Sequence, residues 1–329
     1  MAMTGPADLA PPPPPRPPLP PLPLPVHIAG PEGPWEAAVD ALELTGAAVV
    51  HTTWGEWLTV TLLDPRLRAL LGHDWPRYRQ TRAVAGRLRF AVSRVVMKYA
   101  AGAVLQVPPD TLDLAYQPGG RPLLRGLGEE LALSLAHTDE LIVVGLSSTG
   151  PIGVDAEPVG RQAPFELLGE YVCTPQEAAA LTTLPEAERT LRLLQLWTLK
   201  EAYTKALGQG MRRRFAAFGF RRDAEGRITL ADEPPHTPPW AFAAHLVQGR
   251  YLVSAAHRPA RPPQNPPPHQ PHPPQELHRP NEPQQPHPPQ ELHRPSGPYR
   301  LHEEPVPAQA VPRPAGTPGF PGRWSPGGR

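Results

Sequence analysis

The sequence predicts an α+β fold built on antiparallel sheets, and three observations carry that prediction. Short apolar runs, Leu131 to Ala136, Leu141 to Leu146 and Ile152 to Ala156, are joined by turn residues at Thr138-Asp139-Glu140 and Ser148-Thr149-Gly150-Pro151, the pattern of an antiparallel meander. Helical periodicity is segregated to either side of them, over Arg66 to about Leu105 and Arg189 to Leu207. The 52 prolines are confined mostly to the ends, with 14 in residues 1–34 and 23 in residues 258–329. One folded block, residues 35–257, is left between a disordered leader and a disordered tail, and it is long enough for a substantial core.

Each element has its own signal. Residues 11–25 are nearly all Pro and Leu, which form neither helix interior nor sheet ladder and favour polyproline II. The block is expected to begin near Leu42, with strands at Ala47 to His51 and Trp57 to Leu62, the latter ended by Asp64-Pro65. Leu67, Leu70 and Leu71, then Leu88, Phe90, Ala91, Val95 and Val96, read as helices. Arg77, Arg79, Arg82, Arg87, Arg89, Arg94 and Lys98 decorate them, either as a solvated face or as a basic wall for an anion. A short strand at Leu112 to Tyr116 precedes the turn Pro118-Gly119-Gly120. Thr174-Pro175-Gln176-Glu177 reads as a capping box with Pro at the first helical position. Gly208 ends the following long helix, and Phe218 to Phe220, Ile228 to Leu230, Trp240 to Leu246 and Tyr251 to Ala255 read as closing strands. The tail repeats Gln-Pro-His-Pro-Pro-Gln-Glu-Leu-His-Arg-Pro from Gln270 and again from Gln285, too few apolar residues to stack as a solenoid.

A formal net charge of +1 excludes the strong basic excess of a general nucleic-acid binder. The single cysteine, Cys173, excludes an intrachain disulfide framework and fits a reducing compartment. No leader with a charged and then an apolar region is seen, and no run reaches the roughly 18 apolar residues of a membrane helix, so the expectation is a cytoplasmic protein without a membrane partner.

Chemistry concentrates in Gly153-Val154-Asp155-Ala156-Glu157 and Trp197-Thr198-Leu199-Lys200-Glu201-Ala202-Tyr203-Thr204-Lys205. On a strand, Asp155 and Glu157 share one face while Val154 and Ala156 take the other. Two like charges held together need a cation. On a helix, Trp197, Glu201 and Lys205 fall on one stripe at i, i+4 and i+8. If the helix crosses the sheet, Glu201 becomes a third hard oxygen ligand, leaving Mg²⁺ open positions for water and phosphate. The lysines carry extra weight because only three of the 32 basic residues, Lys98, Lys200 and Lys205, are not arginine. An ammonium acts as a point charge against phosphate or as a proton carrier where a guanidinium does not. Lys200 and Lys205 are both candidate phosphate contacts, Lys205 on the stripe of Glu201 and Lys200 pointing elsewhere on the helix. The simpler alternative for the stripe is an i,i+4 salt bridge between Glu201 and Lys205.

These two segments resemble the GxDxE and WxxKEAxxK signature of the 4′-phosphopantetheinyl transferases. Gly120-Arg121-Pro122 is similar to the family's G-(K/R)-P element, Ser134-Leu135-Ala136-His137-Thr138 to its N-(I/L)-S-H-S element, and Cys173-Thr174-Pro175-Gln176-Glu177 to its S-P-x-E helix start. Ser134 and Ala136 depart from the family's Asn and Ser, which removes a hydroxyl worth about 1 kcal/mol as a phosphate contact. The length resembles the Sfp type, which implies a monomer of two similar α+β halves, here about 42–127 and 128–257. The resemblance implies transfer of the 4′-phosphopantetheine arm of coenzyme A to a serine of an apo acyl or peptidyl carrier protein, with release of adenosine 3′,5′-bisphosphate. It implies Mg²⁺, with Mn²⁺ as a substitute, held by Asp155, Glu157 and Glu201. Glu201, Lys205 and His137 become the catalytic candidates, Glu201 also as the base for the serine proton. Arg89, Arg121, His137, Lys200 and Lys205 become the coenzyme A contacts. Two rival readings are a proline-rich adaptor around a degenerate enzyme block and a metal-dependent phosphohydrolase.

Overall fold

The computed structural model describes residues 19–126, 130–161, 165–232 and 238–259; all lie in the first of two compact units, Met1–Gln270. The start of the leader and the repeated tail lie outside the described residues.

In chain order the elements are β1 (Val26–His27), α1 (Glu36–Thr45), β2 (Ala47–Thr53), α2 (Trp54–Leu63), α3 (Leu67–Leu71), α4 (Trp75–Gln80), α5 (Val84–Leu105), β3 (Leu114–Tyr116), β4 (Pro122–Leu124), β5 (Ala132–Thr138), β6 (Leu141–Ser147) and β7 (Ile152–Pro158). Then follow α6 (Phe165–Val172), α7 (Pro175–Thr182), α8 (Glu186–Ala206), β8 (Phe220–Arg222), β9 (Ile228–Leu230), β10 (Ala241–Val247) and β11 (Tyr251–His257). Two larger sheets run β1-β2-β6-β5 and β10-β11-β7, with two-stranded hairpins β3-β4 and β8-β9. Every described pairing is antiparallel except β1 with β2. The α+β expectation holds.

Period-two alternation builds the layers. In β2 and β6, Ala48, Val50, Ile142, Val144 and Leu146 face α5, burying Val92, Val95, Val96 and Met97. The alternate residues Ala47, Val49, Leu141 and Val143 face the second sheet, meeting Ile152, Val154, Ala156, Tyr251 and Val253. On the far side, α8 lies against β7 and β11 with Leu193, Leu196, Leu199, Ala202, Tyr203 and Ala206 buried. The order is helix, sheet, sheet, helix, one long helix to each sheet. Fully burying each such Leu or Val contributes about 1.5–3 kcal/mol.

Three expectations need correction. Trp57 to Leu62 is helix, inside α2, because Thr53 accepts from Glu56 N–H while the Glu56 carboxylate accepts from Thr53 N–H at 2.8 Å. That capping box fixes the helix start, and Trp57 and Thr61, one turn apart, bury together, overriding the β-branched alternation. The meander also stops early: β7 pairs with β11, Asp155 opposite Ser254, and not with β6. Finally, the leader does not extend to residue 34. Leu22 and Ile28 are buried, Ile28 N–H donates to His51 carbonyl at 2.9 Å, and Trp57 Nε1 donates to Ile28 carbonyl at 2.9 Å. Strands β5 and β6, beyond the expected boundary near 127/128, join the sheet of β2, so that sheet draws on both expected halves.

Candidate active site

Gly153 is why the two motifs meet. A Cβ there would lie 1.9 Å from Ala202 carbonyl oxygen and 2.6 Å from Ala206 nitrogen, so only glycine lets α8 settle on β7. Ala202 and Ala206, both buried, are the small residues on the helix side. A further bond between Thr198 and Ser254 hydroxyls, at 2.7 Å, pins α8 to β11. This contact turns the outward face of β7 toward the stripe carrying Glu201 and Lys205.

Lys205 Nζ donates to Asp155 Oδ1 at 2.7 Å and to Val154 carbonyl at 3.1 Å. Asp155 Oδ2 is buried and has no hydrogen-bond partner. Burial pushes the Asp155 carboxyl above its usual value, against the pull of Lys205. Glu157 is raised by burial and by Asp155, with Arg161 and the Trp197 side chain acting the other way. Glu201 is raised by burial, then by Asp155 and Glu157, with Lys205 opposing. These mutual shifts place the three expected carboxylates in one electrostatic neighbourhood. Among the described residues, no three His, Cys, Asp or Glu side chains are grouped so that they could hold a metal ion; Asp155 pairs with Lys205 and Glu157 with Arg161. Glu157 and Glu201 each feel the Asp155 charge and the buried Asp155 Oδ2 has no partner, so the oxygen donors a divalent cation takes lie near one another without forming its site.

Asp155 and Lys205 open onto a cavity of about 280 Å³ lined also by Arg94, Tyr116, Gly120, Leu135 and His137. The His137 imidazole, at the cavity's solvent edge, is held below the ordinary histidine value by the surrounding protein, then by Arg94, Lys205 and Arg89. Of the basic wall, Arg94 is the member that lines this cavity. Arg89 is exposed on α5, 5.6 Å from the Trp54 ring, and acts on His137 only through its field.

Two expected contacts are placed elsewhere. Lys200 is fully buried, donating to Glu177 Oε2 at 2.6 Å and to the carbonyls of Val172, Phe218 and Phe215 at 2.7, 2.7 and 3.0 Å. Its three N–H donors are shared among four oxygens, so none is left for the cavity. The reading of Lys200 as a coenzyme A contact is corrected: it locks α8 to the capping box of α7. Arg121 Nη1 donates to Ala206 carbonyl at 3.3 Å and lines a separate cavity with Gln117, Leu133 and Arg258. No periodicity marked Arg94 apart from its neighbours; its i, i+4 spacing from Phe90 on α5 is the one signal, and the two do stack, with the guanidinium 4.4 Å from the ring centroid.

The fold and site thus define an α+β protein that lays a buried carboxylate and cation cluster beside an open basic cavity. Residues 151–256 match the family model of the 4′-phosphopantetheinyl transferase superfamily, so the resemblance drawn from the motifs stands. Relatives include the 4′-phosphopantetheinyl transferase HetI of Nostoc sp., 31% identical over 127 residues, covering 38% of this chain and 54% of the relative. Another is Sfp of Bacillus subtilis, 22% identical over 171 residues, covering 51% of this chain and 74% of the relative. The match thus spans about half the length of HetI. Among solved structures, a holo-(acyl-carrier-protein) synthase from Bacillus anthracis in complex with coenzyme A aligns with 21% identity and a TM-score of 0.31, covering 34% of this chain and 98% of that one.

Proposed function

We propose that this protein transfers the 4′-phosphopantetheine arm of coenzyme A to a serine hydroxyl of an apo carrier protein and releases adenosine 3′,5′-bisphosphate. The observation that carries the reading is the contact of β7 with α8, which pairs Lys205 with Asp155 at the cavity of Arg94 and His137, with Glu157 and Glu201 close enough to feel the Asp155 charge. In the reaction the serine oxygen–phosphorus bond forms and the bond from that phosphorus to the bridging pyrophosphate oxygen breaks. Positioning and charge compensation dominate such a transfer. Asp155, Glu157 and Glu201 would hold Mg²⁺, which when bound neutralises phosphate charge. Lys205 faces the same oxygens as a mobile point charge, and Arg94 and His137 orient the remaining phosphates. Glu201, with its carboxylate made more basic by burial and by Asp155, suits the removal of the serine proton.

The test incubates the full chain with coenzyme A, Mg²⁺ and a panel of apo acyl and peptidyl carrier proteins, followed by intact mass. The reading predicts one phosphopantetheine added per carrier. Release of free phosphopantetheine without a carrier would favour a phosphohydrolase, and inertness toward every carrier would leave the adaptor reading.

A further inference from the structure

Asp74 sits in the short turn between α3 and α4, is 6% exposed, and no sequence pattern links it to the site. Its carboxylate accepts from the Tyr116 hydroxyl of β3, and the same oxygen, Oδ2, lies 3.5 Å from Arg94 Nε of α5. Arg94 is itself 9% exposed. Its guanidinium is packed between the rings of Phe90, at 4.4 Å, and Tyr116, at 5.4 Å, while Nη1 donates to Ser93 Oγ at 3.1 Å. Its Nε is buried with no hydrogen-bond partner. Tyr116 and Arg94 both line the cavity of His137, Asp155 and Lys205, whereas Asp74 does not. A guanidinium on a long stem has several rotamers to lose on meeting a ligand. Here a buried carboxylate and two rings have already fixed it. One turn further along α5, the buried Lys98 ammonium feels the same carboxylate along with Asp113 and Asp110, so the local charges are matched rather than left bare.

We infer that Asp74 is a positioning residue that, with the Tyr116 hydroxyl, holds Arg94 preset for an anionic phosphate group entering the cavity. The inference rests on the transferase reading for its ligand, coenzyme A. Preorganisation of this kind strengthens binding of the group without touching the bond being broken. Its loss raises KM and leaves kcat in place.

The experiment measures coenzyme A binding by titration calorimetry and transfer kinetics on the full chain, for wild type, Asp74→Asn, Asp74→Glu, Tyr116→Phe and Arg94→Ala. Asp74→Asn is expected to weaken coenzyme A binding about tenfold, the loss of one charge-assisted contact, with kcat within about twofold of wild type. Tyr116→Phe should weaken binding by a smaller factor, and Asp74→Glu should recover part of the loss. A merely structural role would lower the binding-competent fraction and kcat without moving KM, which overturns the inference. Wild-type affinity in both Asp74→Asn and Tyr116→Phe, with Arg94→Ala impaired, overturns it as well and leaves the transferase reading intact. If Asp74→Asn does not fold, Tyr116→Phe, which removes only a hydroxyl, decides alone. A wild-type chain that does not bind coenzyme A sinks the transferase reading and this inference together.

Discussion

Lys200 and Lys205 stand five residues apart on α8, in one motif, and sit in opposite surroundings. The Lys200 region is closed: a fully buried ammonium meets four oxygens, and its carboxylate partner Glu177 also accepts from Thr174 N–H and Phe220 N–H, each at 2.8 Å. The Lys205 region is open: its side chain is 30% exposed, it holds one carboxylate, and the other oxygen of that carboxylate is unpaired. A saturated polar cluster fixes structure, since nothing in it is left to meet a ligand, whereas an unsaturated one beside a cavity is poised for chemistry. The difference arises from which helix face each residue occupies.

The sharpest way to break this contrast is Lys200→Met. It strands the buried Glu177 carboxylate and three carbonyls, and should cost about 3–5 kcal/mol of unfolding free energy, read by urea titration, with the remaining folded protein still active. A Lys200→Met variant as stable as wild type would remove the closed cluster from the argument. Lys205→Met should do the reverse. Transfer should fall about 10²–10³-fold in kcat/KM, with a smaller loss of stability than in Lys200→Met. Lys205 is 30% exposed, and its removal leaves one carboxylate and one carbonyl, rather than one carboxylate and three carbonyls, without their donor.

A second closed cluster extends the contrast to pH. His257 Nε2 meets Ser147 Oγ at 2.9 Å and Thr149 Oγ1 at 3.2 Å, and burial pulls its imidazole down to about 4. The folded chain therefore resists a proton that the unfolded chain accepts below about pH 6.5. Stability is full above that pH and declines as pH falls toward 4, by about 3 kcal/mol from this residue. His257→Gln should flatten that part of the acid limb in urea titrations at a series of pH values. An unchanged slope would mean that His257 does not titrate as its burial requires.

Much of the site was legible in the sequence because it depends on short-range geometry. The strand places Asp155 and Glu157 on one face, the helix places Glu201 and Lys205 on one stripe, and the Thr174 capping box closes as read. Gly153 was visible only as part of a motif; its reason, contact with the α8 backbone, lies in tertiary structure. Helical spacing already puts Lys205 on the stripe of Glu201 and Lys200 off it, but only packing shows that Lys200 is closed in by four oxygens. In α2, Thr53 and Glu56 gave a helix signal that the Thr and Val alternation of residues 57–62 masked. The partner of β7 is another element some 100 residues away, and no local signal names it. Arg94 and Asp74 belong to the site through the fold of α5, β3 and the turn before α4, which local patterns do not encode.

The most direct test of the open cluster is a time course of carrier modification by intact mass, run with coenzyme A and Mg²⁺ for wild type and Asp155→Ala. The account predicts that wild type adds one phosphopantetheine to an apo carrier and that Asp155→Ala, though folded, adds almost none in the same interval. Full activity in Asp155→Ala would contradict it.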